Sequence, residues 1–472
     1  MSRVALAVAL AGATLGCTDY RELVRPGPEA ESILVRDVCL FPATGPECFE
    51  HVDVLVRGAK IESIRPTGAE PPPGAFVVSG RGRTLLPGLV DVHVHLLASS
   101  APPWRWALPD PEHNLQAYLY AGVTTVCDLG GPIGDLADLR EEVESGEIPG
   151  PRIFYAGPML TAPGGHPTGV VEETVPWPVS SLVLSRIARE IETPEEGARA
   201  VDEVADGGAG VVKVALDDLP PGAPKLDLDL LRAIVERARA RGLPVAAHVR
   251  KAPDAVAAAR AGVGLLAHGV LGGPLGEDEA RILGSLRIRV APTLASVEGY
   301  VALFEGEWKP NALDREIEDP GILADLTTGT DLATREVGPG FTAFLYEMSD
   351  HRATWASSVG RLHEAGAVLL AGTDSPLLGA IPGASLHREI RALGECGIPP
   401  AEVLLGATSR AASFLDRQGR FGTIEPGRIA DLLLVEGNPL VDLSATARIV
   451  LVVKEGRIVE RFVPEGRLEA AK

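Results

Sequence analysis

Positive charge is what this sequence lacks most: 44 lysines and arginines stand against 64 acidic residues, a formal net charge of -20. A nucleic-acid surface needs clustered basic side chains to displace counterions, so the balance argues against a phosphate-backbone partner. The surplus of acid names no substrate, because acidic surfaces chiefly keep proteins soluble. Aromatic residues are scarce as well, at 4%, although 46% of the chain is hydrophobic. The apolar content is therefore small and aliphatic, ordinary for a globular protein. With 472 residues the chain can form one large domain and a smaller one around a sizeable core.

The first segment, MSRVALAVALAGATLGCTDY, carries one early Arg and an apolar run that is too short to span a bilayer comfortably. Small residues precede Cys17, and residues 1–17 read as an export signal. TLGC resembles the lipobox of bacterial lipoproteins, whose cysteine is lipidated after cleavage, with one departure: Thr14 stands where that pattern has Leu. The expectation is an exported chain, periplasmic or in the cell envelope, touching a bacterial membrane only through a lipid on Cys17. Plain export without a lipid is a second reading, and a wrongly chosen start codon or an uncleaved anchor a third. Export leaves the other cysteines in an oxidising compartment. Cys39 and Cys48 flank FPATGPE between two strand-like runs, so their thiols can meet in a disulfide across a hairpin, although the spacing does not require it. Cys127 and Cys396 sit in apolar surroundings and read as small buried hydrophobes.

After a polar tether over residues 18–30, the segments SILVRDVCLF, HVDVLVRGAKIESI and AFVVSG alternate apolar and polar residues between Gly and Pro breaks, as strands do. The same texture returns in ADLLLVEGNPL and RIVLVVKEGRIVERF. Both chain ends, residues 31–85 and 419–464, thus contribute to one small β-sandwich. Between them, over 86–418, short apolar runs alternate with helical stretches such as LDLLRAIVERARARG. The runs LVDVHVHL, TTVCDLG, RIFYAGPML, VVKVAL, PVAAHV, LLAHG, RVAPTLA and VLLAGTD supply the eight strands of an α/β (β/α)8 TIM barrel, in which catalytic groups lie at the C-terminal strand ends. Two connections are longer than a βα loop needs: one beginning TAPGGHPTG, and one from Ser296 to Asp350. Both are candidate walls or lids over the mouth.

The candidate chemistry falls at those strand ends. His93 and His95 are two apart on a strand, so both imidazoles face one side and suit a shared metal. An alternating strand also places two histidines this way by chance, so the pair decides nothing alone. Lys213 lies in the apolar strand VVKVAL, where an unpartnered ammonium is costly. A carboxylate partner, a reach to solvent, or reaction with carbon dioxide to give an anionic carbamate would each relieve it. His248 and His268 end successive strands, and Asp374 follows an apolar run where a carboxylate needs a cation or several hydrogen bonds. Four histidines, a lysine and an aspartate at five strand ends predict a metal site, with zinc or a similar divalent ion suited to the ligands. His166, in PGGHPTG, lies on the long loop after the third strand; turned over the mouth it would touch substrate or the oxyanion, and turned away it is an exposed loop histidine. His387 reads as a capping or packing residue, and His51, His113, His351 and His363 carry no assigned chemistry.

LLPGLVDVHVHL, VVKVAL, AAHV, LLAHG, AGTDSP and GTIEPGRIADLLLVEGNPL occur in the order found in the amidohydrolase superfamily, and the chain resembles it from about residue 31 to 464. GVTTVCDLGG, GPRIFYAGPMLTAPGGH, AGVGLLAHG and SLHREI are similar to the binuclear-metal branch of imidazolonepropionase-related enzymes and Xaa-Pro and Xaa-Arg dipeptidases. Cys127 departs from it, standing where that branch commonly has Arg. The resemblance implies two divalent ions, with His93, His95 and Asp374 on the more buried one, His248 and His268 on the second, and carbamylated Lys213 between them. It further implies a metal-bridging hydroxide that attacks a carbonyl, with Asp374 carrying its proton to the leaving amine.

The function expected is cleavage of an amide in a small substrate such as a dipeptide or N-acyl amino acid. Lactone, carbamate or phosphotriester hydrolysis uses the same bridging lysine, and single-metal ring deamination fits the same barrel without it. A binding lipoprotein that keeps the barrel but not the reaction would lack ligands, whereas all six are present. The sequence leaves the oligomeric state open, a homo-oligomer included.

Overall fold

The computed structural model describes residues 22–462 apart from 69, 103, 106 and 329–336. The export signal and Cys17 lie outside the described residues. Among these residues no helix is long and apolar enough to cross a membrane.

The middle of the chain forms parallel strands with helices between them, as the runs of buried Val, Leu and Ala demand of strands covered on both faces. Leu89–Val94, Val123–Asp128 and Arg152–Tyr155 make one parallel ladder. Met159–Thr161, Val212–Ala215, Val245–His248, Leu265–Ala267, Arg289–Ala291 and Val368–Leu369 continue in a second, with Ala188–Glu190 at its edge. The expected third strand is broken: Gly157 has φ +79 and Pro158 has no amide hydrogen, so RIFYAGPML divides into a piece in each ladder. Hydrogen bonds outside the two ladders span both seams. Gly210 N–H donates to Tyr155 O, while Val92 N–H donates to Ala371 O and His95 N–H to Ser375 O. Val92, Cys127, Ala246, Leu265 and Ala291, from five different strands, and Leu370, directly after the strand Val368–Leu369, pack into one cluster, which places that cluster inside the ring. Ala411, Ala412 and Phe414 of the helix Ser409–Leu415 join it.

The long connections are helical. Thr168–Thr174 and Val179–Ile187 follow the third strand, and Leu294–Phe304, Ala312–Ile317, Pro320–Thr327 and Pro339–Glu364 follow the seventh. The seventh strand is shorter than RVAPTLA, because Pro292 ends it and the helix begins at Leu294.

The strand-rich ends build a single nine-stranded sheet. Ser32–Leu40 is its branch point: one edge pairs with Phe49–Arg57, and the other with Phe76–Ser79 and then Arg83–Pro87. Arg83–Pro87 in turn pairs with Leu432–Glu436 from the far end of the chain. The sheet folds over on one core that includes Ile33, Val35, Val54, Leu432, Leu434 and Val453. Ala430 N–H donates to Ala59 O and Gly456 N–H to Ala430 O where its two ends meet. The span read as a polar tether is partly structured. Val24–Pro26 pairs with Arg457–Arg461, because Leu23 and Val24 bury completely and the Gln116 side chain accepts the Leu23 amide.

Cys39 and Cys48 are joined in a disulfide next to the Leu40–Phe49 pair, with Cα atoms 6.2 Å apart. Closing this short loop restricts the unfolded chain, which is worth about 2–3 kcal/mol. Replacing both cysteines with serine should therefore lower stability to urea by about that amount under non-reducing conditions, while metal content is retained. An unchanged unfolding midpoint would show that the bridge does not form.

Candidate metal centre

The C-terminal ends of the barrel strands bring all six predicted side chains together. His93 and Lys213 are 1% exposed, His248 and His268 7%, and Asp374 8%. Asp374 Oδ1 lies 2.9 Å from His95 Nε2 and 3.1 Å from His93 Nε2. His93, His268 and Asp374 each offer a ligand atom within 4.8 Å of the other two. Lys213 Nζ is 3.4 Å from His93 Nε2. His248 stands next to His268, with ring centroids 4.4 Å apart.

The nitrogen that each imidazole presents inward follows from what holds the other one. Asp217 Oδ2 lies 3.0 Å from His248 Nε2, and Thr293 Oγ1 lies 2.8 Å from His268 Nδ1. His95 Nδ1 lies 3.4 Å from the Gly130 carbonyl oxygen. These contacts leave His248 Nδ1, His268 Nε2 and His95 Nε2 for a ligand. Asp217 is fixed in turn by Arg250, whose Nε donates to its Oδ2 at 2.7 Å while Nη1 donates to Glu347 Oε2 at 2.8 Å. Two further carboxylates tie the strand ends. Asp128 accepts the Leu96 and Gly130 amides, and Asp91 accepts the His93 and Thr373 amides and the Thr373 hydroxyl. His268, Thr293 and Asp374 have φ of +89, +55 and +60. Non-glycine residues held there store strain of the kind that collects at functional sites.

Burial sets the charges. It lowers His93 to about 3, assisted by Lys213, and pushes His248 and His268 well below the ordinary histidine range. These three imidazoles are therefore neutral at pH 7, with lone pairs to give. Burial opposes ionisation of Asp374 but is outweighed by His93, His95 and His268, so its carboxyl lies well below the usual range. His95 is raised because Asp374 outweighs its burial. Burial brings Lys213 down to about 8. Neutral imidazoles beside a charged carboxylate suit a divalent cation, and among the described residues no carboxylate bonds Lys213 directly.

His166 stacks on His248 at 4.2 Å between centroids, and its Nδ1 is buried without a partner among the described residues. Burial lowers it to about 4. Gly165 makes this approach feasible, since a Cβ there would lie 2.5 Å from Thr161 Oγ1 and 2.8 Å from Pro224 O. His387 is elsewhere, its Nε2 against the Ala121 carbonyl and its Nδ1 against Thr446 Oγ1. Sequence reasoning missed Asp91, Asp128, Asp217, Thr293 and Arg250. The carboxylates directly after or within apolar strands in DVHVH, VCDLG and VALDD were the signal for three of them.

The pattern of the amidohydrolase family matches residues 84–279 and 347–459. The chain is similar to imidazolonepropionase of Chromobacterium violaceum, 25% identical over 411 residues that cover 81% of this chain and 84% of the relative. Among solved structures it resembles a prolidase complexed with N-methylphosphonate-L-proline, with a TM-score of 0.72 and 27% identity over 91% of this chain and all of the other. A Xaa-Pro dipeptidase with bound methionine shares the fold at a TM-score of 0.72 and 22% identity, with 91% of this chain and all of the other covered.

If Asp217 orients His248 for a metal, Asp217→Asn should weaken metal binding about 10- to 100-fold. Competition with a coloured chelator would measure it, and affinity equal to that of the parent would refute the assignment.

Proposed function

The chain belongs to the amidohydrolase family and is a hydrolase of carbon–nitrogen bonds, and from that premise we propose that it cleaves the amide of a dipeptide or N-acyl amino acid with two divalent ions. The observation that carries this reading is Lys213: an amine 1% exposed, beside His93 Nε2, without a direct carboxylate partner among the described residues. A carbamate would turn this costly cation into an anion with two oxygens able to bridge two ions. His93, His95 and Asp374 would hold one ion, and His248 and His268 the other. Zinc suits these ligands. When bound, the ions polarise the scissile carbonyl and make water a stronger nucleophile.

The remaining work falls to the chain. Asp374, charged and shared between His93 and His95, accepts the proton of the attacking water and passes it to the departing amine nitrogen. His166 supplies a polar contact for substrate beside His248. Asp217 and Thr293 hold the two outer imidazoles in place, so that little reorganisation accompanies the reaction. The prolidase likeness supports a substrate with an amide next to an amino acid. The apolar leader and TLGC support export with a lipid at Cys17, and the Cys39–Cys48 disulfide agrees with an oxidising compartment.

Lys213→Ala should lose most bound metal and at least about 100-fold in turnover, with partial return on adding a short carboxylic acid that can bridge the ions. Metal content measured by mass spectrometry and unchanged in that variant would refute the bridge. Screening dipeptides and N-acyl amino acids against lactones tests the substrate class; turnover of lactones alone would overturn the amide reading.

A further inference from the structure

At the barrel end opposite the metal centre, three arginines surround a hollow with no carboxylate among the described residues that line it. Acidic residues outnumber basic ones, 64 to 44, and many arginines take an acidic partner, as Arg152, Arg237 and Arg410 do. Arg239, Arg289 and Arg417 take none: among the described residues they make no ion pair and no side-chain hydrogen bond. With Leu243, Pro244 and Phe414 they line a cavity of about 210 Å³.

The elements explain the convergence. Arg289 opens the seventh barrel strand, Arg239 lies near the end of the helix Leu228–Ala240, and Arg417 follows the helix Ser409–Leu415. Pro244 directly precedes the strand Val245–His248. The hollow thus faces the starts of strands whose other ends carry His248 and His268, roughly 13 Å away along a four-residue strand. Arg289 is half-buried, with its guanidinium carbon 6.0 Å from the centre of the Phe414 ring. Burial and the nearby Arg417 lower its pKa, which is the mark of a cation lacking a counter-charge. Gly262, at φ +93, lets Arg239 approach: a Cβ there would sit 3.1 Å from its Nη2. Guanidinium forks bind phosphate oxygens two at a time, and three of them match a dianion better than a single carboxylate. The apolar wall of Phe414, Leu243 and Pro244 suits a short carbon substituent.

We propose that this hollow binds a phosphate ester, with the phosphate between Arg289 and Arg417, Arg239 at its rim and the ester carbons against Phe414. The ester comes either from a free metabolite or from a phospholipid headgroup. The test uses the full-length, metal-loaded protein at fixed ionic strength. Titration calorimetry with inorganic phosphate and with glycerol phosphate reads the free anions, and co-sedimentation with phosphatidylglycerol vesicles, against phosphatidylcholine, reads the headgroup. Saturable binding is expected, with Kd raised about tenfold or more by Arg289→Gln and by Arg417→Glu. Hydrolysis without phosphate should be unchanged in both variants. Arg417 is exposed, so its variant keeps the test valid even if Arg289→Gln unfolds. Uptake of vesicles but not of free esters, lost in Arg417→Glu, would identify the headgroup as the source. An identical Kd in the variants would put the anion on the metal centre and overturn the proposal, as would no saturable binding of ester or vesicle.

Discussion

The seam between the first and last barrel strands is the constraint on which the metal centre depends. Asp91, fully buried, accepts the His93 amide on one strand and the Thr373 amide and hydroxyl on the other. The amide of Asp374 donates to the His93 carbonyl in the same place. The two residues that approach within 3.1 Å through their side chains are thus already joined through their backbones. Ser375 extends the network to Tyr118, whose hydroxyl donates to its carbonyl. A carboxylate buried this deeply is costly, and burial raises Asp91 to about 7. Three hydrogen bonds to one side chain offset part of that cost, and they fix the geometry of the ring where its first and last strands meet.

The rest of the centre repeats the pattern of a buried polar atom held by one neighbour and left free on its other side. Asp217 acts so for His248, Thr293 for His268 and the Gly130 carbonyl for His95. His95 Nε2 meets Asp374 at 2.9 Å, and His268 offers a ligand atom within 4.8 Å of those of His93 and Asp374. Neutral imidazoles, a low-lying carboxyl and an amine without a direct counter-ion form an arrangement that a cation completes, and the left-handed backbone at His268, Thr293 and Asp374 shows that the fold tolerates strain to keep it.

The ligands were legible because strand ends in this architecture are marked by a change from apolar to polar within one or two residues. His248 and His268 end VAAH and LLA runs, and Asp374 stands four residues beyond Leu370. The barrel rhythm was legible for the same reason. The anchors were not. Asp217 follows an apolar strand, which marks it, but its role shows only when His248 is seen beside it, and Thr293 requires the turn after Pro292. The break at Gly157 was hidden because the apolar run continues across it. Leu23 and Val24 were hidden because two apolar residues are too few to signal a strand, and their partner strand Arg457–Arg461 lies at the other end of the chain.

That last pairing bears on the order in which the molecule can assemble. The Thr84 hydroxyl reaches the Gly437 carbonyl across 353 positions of sequence, and Arg83–Pro87 has Leu432–Glu436 as a lateral neighbour. A chain emerging from the ribosome exposes these early strands long before their partners exist. The small lobe can therefore close only once Leu432–Glu436 and Arg457–Arg461 have been made. The barrel adds most of its strands to successive neighbours and waits only for the seam between Asp91 and Thr373, while residues 432–461 act as the clasp that draws early and late strands into one folded lobe.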